Sequence, residues 1–268
     1  MRMLKLTLLL GLALWMVGSA GIAAAQSKVQ PPAGTGDGLE PRAATVYRNM
    51  CTAMDALRSF SVEADVLVDT VFEDGAKIQY GRQTTLDVRR PDHFRTVTRG
   101  DDFTVSTYFN GDTFSLALPK LRRYGQLQAA MDTNSLLNKL STEYGLDSPL
   151  GDVLMNNPCE AVQPTAGYYV GTSRVDGVAC HHLLFVGDEV DWQLWVEDSA
   201  RSLPRKLVIT EKHLPAAPQF IAVLRGWKTT THPDSAFVYT PTARCSLDAS
   251  MFSNATASAL QPAAQAAP

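Results

Sequence analysis

The chemically richest stretch of the chain is Cys180-His181-His182, where three metal-competent side chains follow one another. The surrounding "GVACHHLLF" reads as a strand, and successive strand residues point to opposite faces. Cys180 and His182 could share a ligand sphere; His181 could not join them. A structural zinc site wants four such ligands, the remaining histidines are scattered, and no Cys-x-x-Cys is present. No metal and no cofactor are therefore expected. Nucleophilic and phosphate chemistry lack their signatures too. There is no Gly-x-Ser-x-Gly, no Gly-x-Gly-x-x-Gly after a strand and no Gly-x-x-x-x-Gly-Lys loop. Asp101-Asp102 and Asp188-Glu189 fall where loops are expected, which suits solvated turns. No catalytic residues emerge, and the chain reads as a non-enzyme.

The four cysteines, Cys51, Cys159, Cys180 and Cys245, acquire a meaning from the N-terminus. Arg2 and Lys5 precede the apolar "LTLLLGLALWMVG", and "AGIAAAQS" supplies a small-x-small cleavage pattern. Residues 1–25 thus read as a secretory signal peptide, too short in its apolar part for a membrane span. No later segment approaches a transmembrane helix in length. In an exported protein an even number of cysteines favours disulfides, and all four are expected to pair; three pairings are open. Without Arg2 and Lys5 the 24 basic residues fall to 22 against 27 acidic ones, a formal charge of −5. That balance argues against nucleic acid or an anionic membrane as the main partner.

What remains must be organised by hydrophobic period. Residues 26–42 are rich in Pro and Gly and read as a flexible leader; residues 254–268 read as a disordered tail. Between them, residues 43–253 are expected to form one domain. Val46, Met50, Met54 and Leu57 recur at helical spacing, and Leu136, Leu137, Leu140 and Tyr144 form a second stripe ended by Gly145. "SPLGDVLMNNP" adds a short helical turn. Elsewhere the period is two. Val62, Ala64, Val66 and Val68 share a face, as do Leu86 and Val88, then Phe103, Val105 and Phe109, then Phe114, Leu116 and Leu118. Asn110-Gly111 and Asp176-Gly177 are hairpin turns, and Pro91 breaks a strand. Six further strands are expected, from "GYYVGTSRV" to "AFVYT", giving about ten in a mainly antiparallel β fold with a few helices.

"GVACHHLLF", "DWQLWVEDSARSLPRKLVITEK" and "PQFIAVLRGW", with "RRPDHFR" and "YFNGDTFSL", resemble a family of predicted periplasmic proteins of unknown function. That family is related to the LolA/LolB lipoprotein carriers. The resemblance implies a periplasmic location in a Gram-negative-type envelope and an unclosed β half-barrel, lined by apolar residues and lidded by helices.

A curved sheet presenting Val66, Val68, Leu86, Val88, Phe103, Val105, Phe114 and Leu116 to one side makes an apolar concavity fit for a lipid or acyl chain. In "DWQLWVED", Trp192 shares its face with Leu194 and joins that set. Trp195 must face outward, near "HLPAAPQF". The expected function is a non-catalytic binder or carrier of a lipid, lipoprotein acyl chain or other apolar ligand. In the alternative, Met and Leu side chains of the helices fill the space, and the protein is an envelope protein–protein interaction module.

Overall fold

The computed structural model describes residues 38–253 apart from 102, 148 and 149. The segment read as a signal peptide, leader positions 26–37 and the tail 254–268 lie outside the described residues. Helix α1, Pro41–Ala56, buries Ala43, Val46, Tyr47, Met50 and Met54, one stripe at helical spacing. It begins two residues before the end of the stretch read as leader. That end is anchored: Leu39 bridges Gly167, and the Glu40 carboxylate accepts the Tyr169 N–H at 2.8 Å.

Six strands follow: β1 (Ser59–Val71), β2 (Lys77–Arg89), β3 (His93–Gly100), β4 (Thr104–Asn110), β5 (Thr113–Leu118) and β6 (Arg123–Gln128). Three helices interrupt, α2 (Thr133–Tyr144), α3 (Gly151–Leu154) and α4 (Pro158–Ala161). The Asp132 side chain caps α2 by accepting the Ser135 N–H at 2.8 Å. Strands β7 (Gly167–Val175), β8 (Val178–Val186), β9 (Val190–Glu197), β10 (Pro204–Glu211) and β11 (Gln219–Thr229) complete the second run, and Ser246–Leu247 adds a two-residue β12. At the β7–β8 hairpin Asp176 and Gly177 have φ of 49° and 79°, the paired left-handed conformations that a tight two-residue hairpin turn demands.

All strands belong to one sheet, in the order β12-β6-β5-β4-β3-β2-β1-β11-β10-β9-β8-β7. The order is linear, so the sheet is unclosed. Two antiparallel meanders meet where β1 pairs with β11; among the named strands the short β12–β6 pairing is the parallel one. Among the described residues the four α-helices come from the chain before or between the meanders, and α1 and α2 pack their apolar stripes into the same core as the inner face of the sheet.

Two segments depart from the sequence reading. "RYGQLQ" forms β6, which a Gly in mid-strand and a single following Leu conceal. "AFVYT" forms no strand: residues Asp234–Phe237 make a 3-10 turn within a strap that crosses the outer face. Flanking Pro233 and Pro241 deny a ladder its donors. Aromatic contacts hold the strap instead, Phe237 against the His93 and His232 rings and Tyr239 against Tyr108 and Tyr124. Beyond β12 the strap hooks round to the inner face, where Met251 is buried and Phe252 meets Phe114 and Tyr144 edge-on. Gly125 makes room for it, since a Cβ there would stand 2.7 Å from the Met251 Cβ.

Two ties hold the helices over the sheet. Cys51 of α1 is disulfide-bonded to Cys159 of α4. Arg90, buried at the end of β2, donates through Nη1 to the Met54 and Leu57 carbonyls at the C-terminus of α1, and through Nη2 to the Val153 carbonyl of α3 at 3.3 Å. Burial pushes its guanidinium down to about 10, so it remains charged at neutral pH. The expected second disulfide is absent from the structure. Cys180 is buried on the outer face of β8, and Cys245 is half-buried in the strap.

Denatured, unreduced protein should therefore titrate two thiols rather than none. In the native state Cys245 should react first, because hydrogen bonds from Thr242 and Tyr239 lower its pKa. Burial raises that of Cys180, which should lag. A count of zero would show that these two pair after all. Truncating Arg90 strands three carbonyl contacts, so Arg90→Ala should cost about 3 kcal/mol in urea unfolding. Arg90→Lys should recover only part, lacking the fork. A loss below about 0.5 kcal/mol for Arg90→Ala, within the range of ordinary surface changes, would show the clamp to be peripheral.

Candidate functional site

The alternation of β1 defines the inner face: Phe60, Val62, Ala64 and Val66 are buried there, and Val68 follows half-buried. Strand register extends the face in both directions. Toward β6, Val88 lies beside Phe60 and Leu86 beside Val62; Thr98 links Thr84 to Val105, and Phe109 lies beside Phe114. Toward β7, Phe220 lies beside Val68 and Ala222 beside Val66; Leu207 then leads to Leu194, and Ile209 to Trp192. Val66, Val68, Leu86, Val88, Val105, Phe114, Leu116, Trp192 and Leu194 thus stand on one face, drawn from five strands. Phe103 lies one residue before β4, half-buried beneath the Arg82 guanidinium, whose carbon is 4.4 Å from the ring centroid.

The helices cover most of this face. Tyr47 of α1 sets its ring edge-on to Phe185 and Trp192, at 5.4 and 6.0 Å between centroids. Its hydroxyl donates to the Val162 carbonyl at 2.6 Å, and burial, with Asp152 adding, pushes it up to about 12. Leu136 and Leu140 of α2 and Leu154 of α3 complete the core. Val66, Leu86, Val88, Phe114, Leu116 and Leu194 are buried as a result. Val68, Phe103, Val105 and Trp192 are half-buried, as are Leu207 and Phe220 alongside them. The open part of the face therefore lies toward the β1–β2 turn.

A cleft of about 280 Å³ opens between the C-terminal end of α1 and the sheet. Ala53, Leu57, Phe60, Leu203 and Trp227 give it apolar walls. Strand parity did not single out Trp227, because a β-bulge at Ser61/Glu63 shifts the β1–β11 register near it, nor Leu203, which lies in the loop just before β10. Arg90 was legible in principle: it continues the parity of Leu86 and Val88, which points a charge inward.

Trp192 and Trp195 face opposite sides. Trp192 stacks on Phe185 at 4.0 Å within the inner face. Trp195 lies outside, stacked on His182 at 3.9 Å, with its Nε1 donating to Ser173 Oγ at 2.9 Å. Its neighbour is thus His182 rather than the segment 213–220. Of the Cys180-His181-His182 stretch, His181 pairs with Asp198 at 3.2 Å and His182 meets Gln193 at 3.0 Å. Among the described residues no three His, Cys, Asp or Glu side chains gather as metal ligands, and no helix is long and apolar enough to cross a membrane. What the geometry can do is hide apolar surface.

Known proteins were compared with the chain. Its fold is similar to the crystal structure of LprF from Mycobacterium bovis, at 14% identity and a TM-score of 0.47, covering 73% of this chain and 97% of that one. The lipoprotein LppX of Mycobacterium tuberculosis gives 14% identity and a TM-score of 0.46, over 72% and 98% of the two chains. A LolA superfamily protein from Nitrosomonas europaea gives 12% and 0.36, over 73% and 97%. A search of curated protein sequences finds no match. A family profile described as "Predicted periplasmic protein (DUF2092)" matches residues 43–246, and the chain belongs to that family of periplasmic proteins.

Proposed function

We propose that the protein is a non-catalytic periplasmic binder or carrier of an acyl chain, which it holds between the inner face of the sheet and the helices. One observation carries this reading: an apolar face running through most of an unclosed sheet is covered by helices tied down at few points. Each methylene moved from water to such a face contributes roughly 0.8 kcal/mol. Val68, Val105, Trp192, Leu207 and Phe220, half-buried beside the covered part, offer a chain its first contacts. The dispersed titratable groups fit binding better than bond-breaking chemistry.

A second reading, an envelope protein–protein interaction module with a filled core, is favoured by the burial of Val66, Leu86, Val88, Phe114, Leu116 and Leu194 under the helices. The cleft of about 280 Å³ falls just short of the roughly 300–1,000 Å³ of a site enclosing a drug-sized ligand. A long chain could enter only if α1 shifts.

Native mass spectrometry of gently released protein separates the two readings. A carrier should fly with adducts of lipid mass, and a broad lipid panel that yields no uptake would defeat it. In cells, photo-cross-linkers on the outer face should capture one dominant protein if the second reading holds. The two tryptophans give a further check. Trp192→Ala should weaken acyl-chain binding about tenfold, whereas Trp195→Ala should leave it within about twofold. Equal losses in two folded variants would place the ligand elsewhere.

A further inference from the structure

The inner face of the sheet is not uniform. On its β6 side the register brings threonines together: Thr84 of β2 lies beside Thr98 of β3, and Thr96 of β3 beside Thr107 of β4. Their cross-strand neighbours Ala64, Leu86 and Leu116 belong to the core, which fixes the side they face. Thr84 is buried, whereas Thr96, Thr98 and Thr107 are half-buried on the open part of the face. The hydroxyls meet in pairs, Thr84 with Thr98 at 2.9 Å and Thr96 with Thr107 at 2.6 Å. From Thr84 the same side of β2 continues through Arg82, whose guanidinium lies over the Phe103 ring, to Tyr80 beside Val68. Beyond that point the open face is apolar: Val68, Phe220, Ile209 and Trp192 follow one another in register, all half-buried.

Two hydroxyls carry two protons, and the bond between them uses one. Each threonine pair therefore keeps one O–H group to donate, and among the described residues these four hydroxyls form no other hydrogen bond. Water can take both protons while the face is open. A ligand that covers them with methylenes strands two donors, whereas one that brings an acceptor to each avoids that desolvation cost. Thr96 and Thr98 are two residues apart on one strand, so the pairs stand about 7 Å apart. The carbonyls of two esters on adjacent carbons can span such a gap.

Resting on the carrier reading, we propose that the threonine pairs receive the ester linkages of a diacyl lipid, whose chains run toward Val68, Phe220 and Trp192. Each ester carbonyl accepts the O–H group that one pair has left over. The threonines then fix where along the sheet the linker of the ligand lies. The apolar positions take hydrocarbon of any kind, and selection falls on the linkage.

Dioctanoylglycerol and its diether analogue dioctylglycerol differ only in two carbonyl groups, so calorimetric titration of the exported protein with each tests this. The diester should bind about tenfold more tightly. The quadruple variant Thr84→Val/Thr96→Val/Thr98→Val/Thr107→Val removes both members of each pair at nearly constant shape, so its melting temperature should hold. In that variant the advantage of the diester should disappear. A folded quadruple variant that keeps the preference overturns the threonine assignment, and so does wild-type protein that binds diester and diether alike, a comparison that needs no variant. In both cases the lipids still bind and the carrier reading stands. Wild-type protein that takes up neither lipid overturns both. A cysteine peptide carrying the same diester through a thioether separates two sources: tighter binding than the glyceride points to a lipoprotein, weaker binding to a free lipid, and either order with ester preferred over ether supports the site.

Discussion

An open sheet with one apolar face has to be covered by material from elsewhere in its own chain, and in this protein the covering pieces meet at Arg90. Its guanidinium reaches the last carbonyls of α1 and the carbonyl of Val153 in α3, and stands 5.4 Å from the centroid of the Phe60 ring. Helix ends leave carbonyls without intrahelical partners, and a cation at that end also complements the helix dipole. Backbone carbonyls thereby take up both Nη groups of a charge in the core, while its buried Nε has no hydrogen-bond partner. The cost of burying it is offset only while α1 and α3 stay in place, so the placement of the sheet, the helices and the charge is mutually dependent.

The disulfide works on the same joint from outside. Cys51 and Cys159 are 108 residues apart in sequence and lie on either side of the first meander. A link of that span removes on the order of 4–5 kcal/mol of unfolded-state freedom in the chain-entropy view. It also fastens α1 to α4, so the covering helices are joined to one another as well as to the sheet. At the far side of the β1–β6 meander the strap supplies a third cover, placing Met251 over Gly125 and Phe252 against Phe114. Chain from both ends of the fold thus converges on one apolar surface.

That arrangement sets the energetics of binding. A dozen buried methylenes contribute on the order of 10 kcal/mol. The α1 side chains that shield the same face, Tyr47, Met50 and Met54 among them, each gain something comparable per unit area. A ligand and the helix stripe therefore compete for one surface on nearly equal terms, and a small shift in the balance decides which is in place.

The period-two pattern was sufficient to assign faces. Val66, Leu86, Val105, Leu116 and Leu194 come to one side because strand side chains alternate without exception between bulges, and Trp192 and Trp195 part for the same reason. Turn chemistry at Asp176-Gly177 likewise follows from local conformational preference, whereas at Asn110-Gly111 only the glycine has positive φ and the Asn110 side-chain oxygen accepts the Asp112 and Thr113 N–H groups. Pairing of the cysteines was not local: the choice among three connectivities depends on which helices lie over the sheet, and Cys180 and Cys245 stay unbridged. "AFVYT" has the composition of a strand, yet it lies across the sheet because aromatic contacts with distant Tyr108 and Tyr124 outweigh its propensity. Whether the inner face is open or covered was equally beyond the sequence. Alternation states which side chains avoid water, but what they meet instead is decided by segments a hundred or more residues away, brought there only by the tertiary fold.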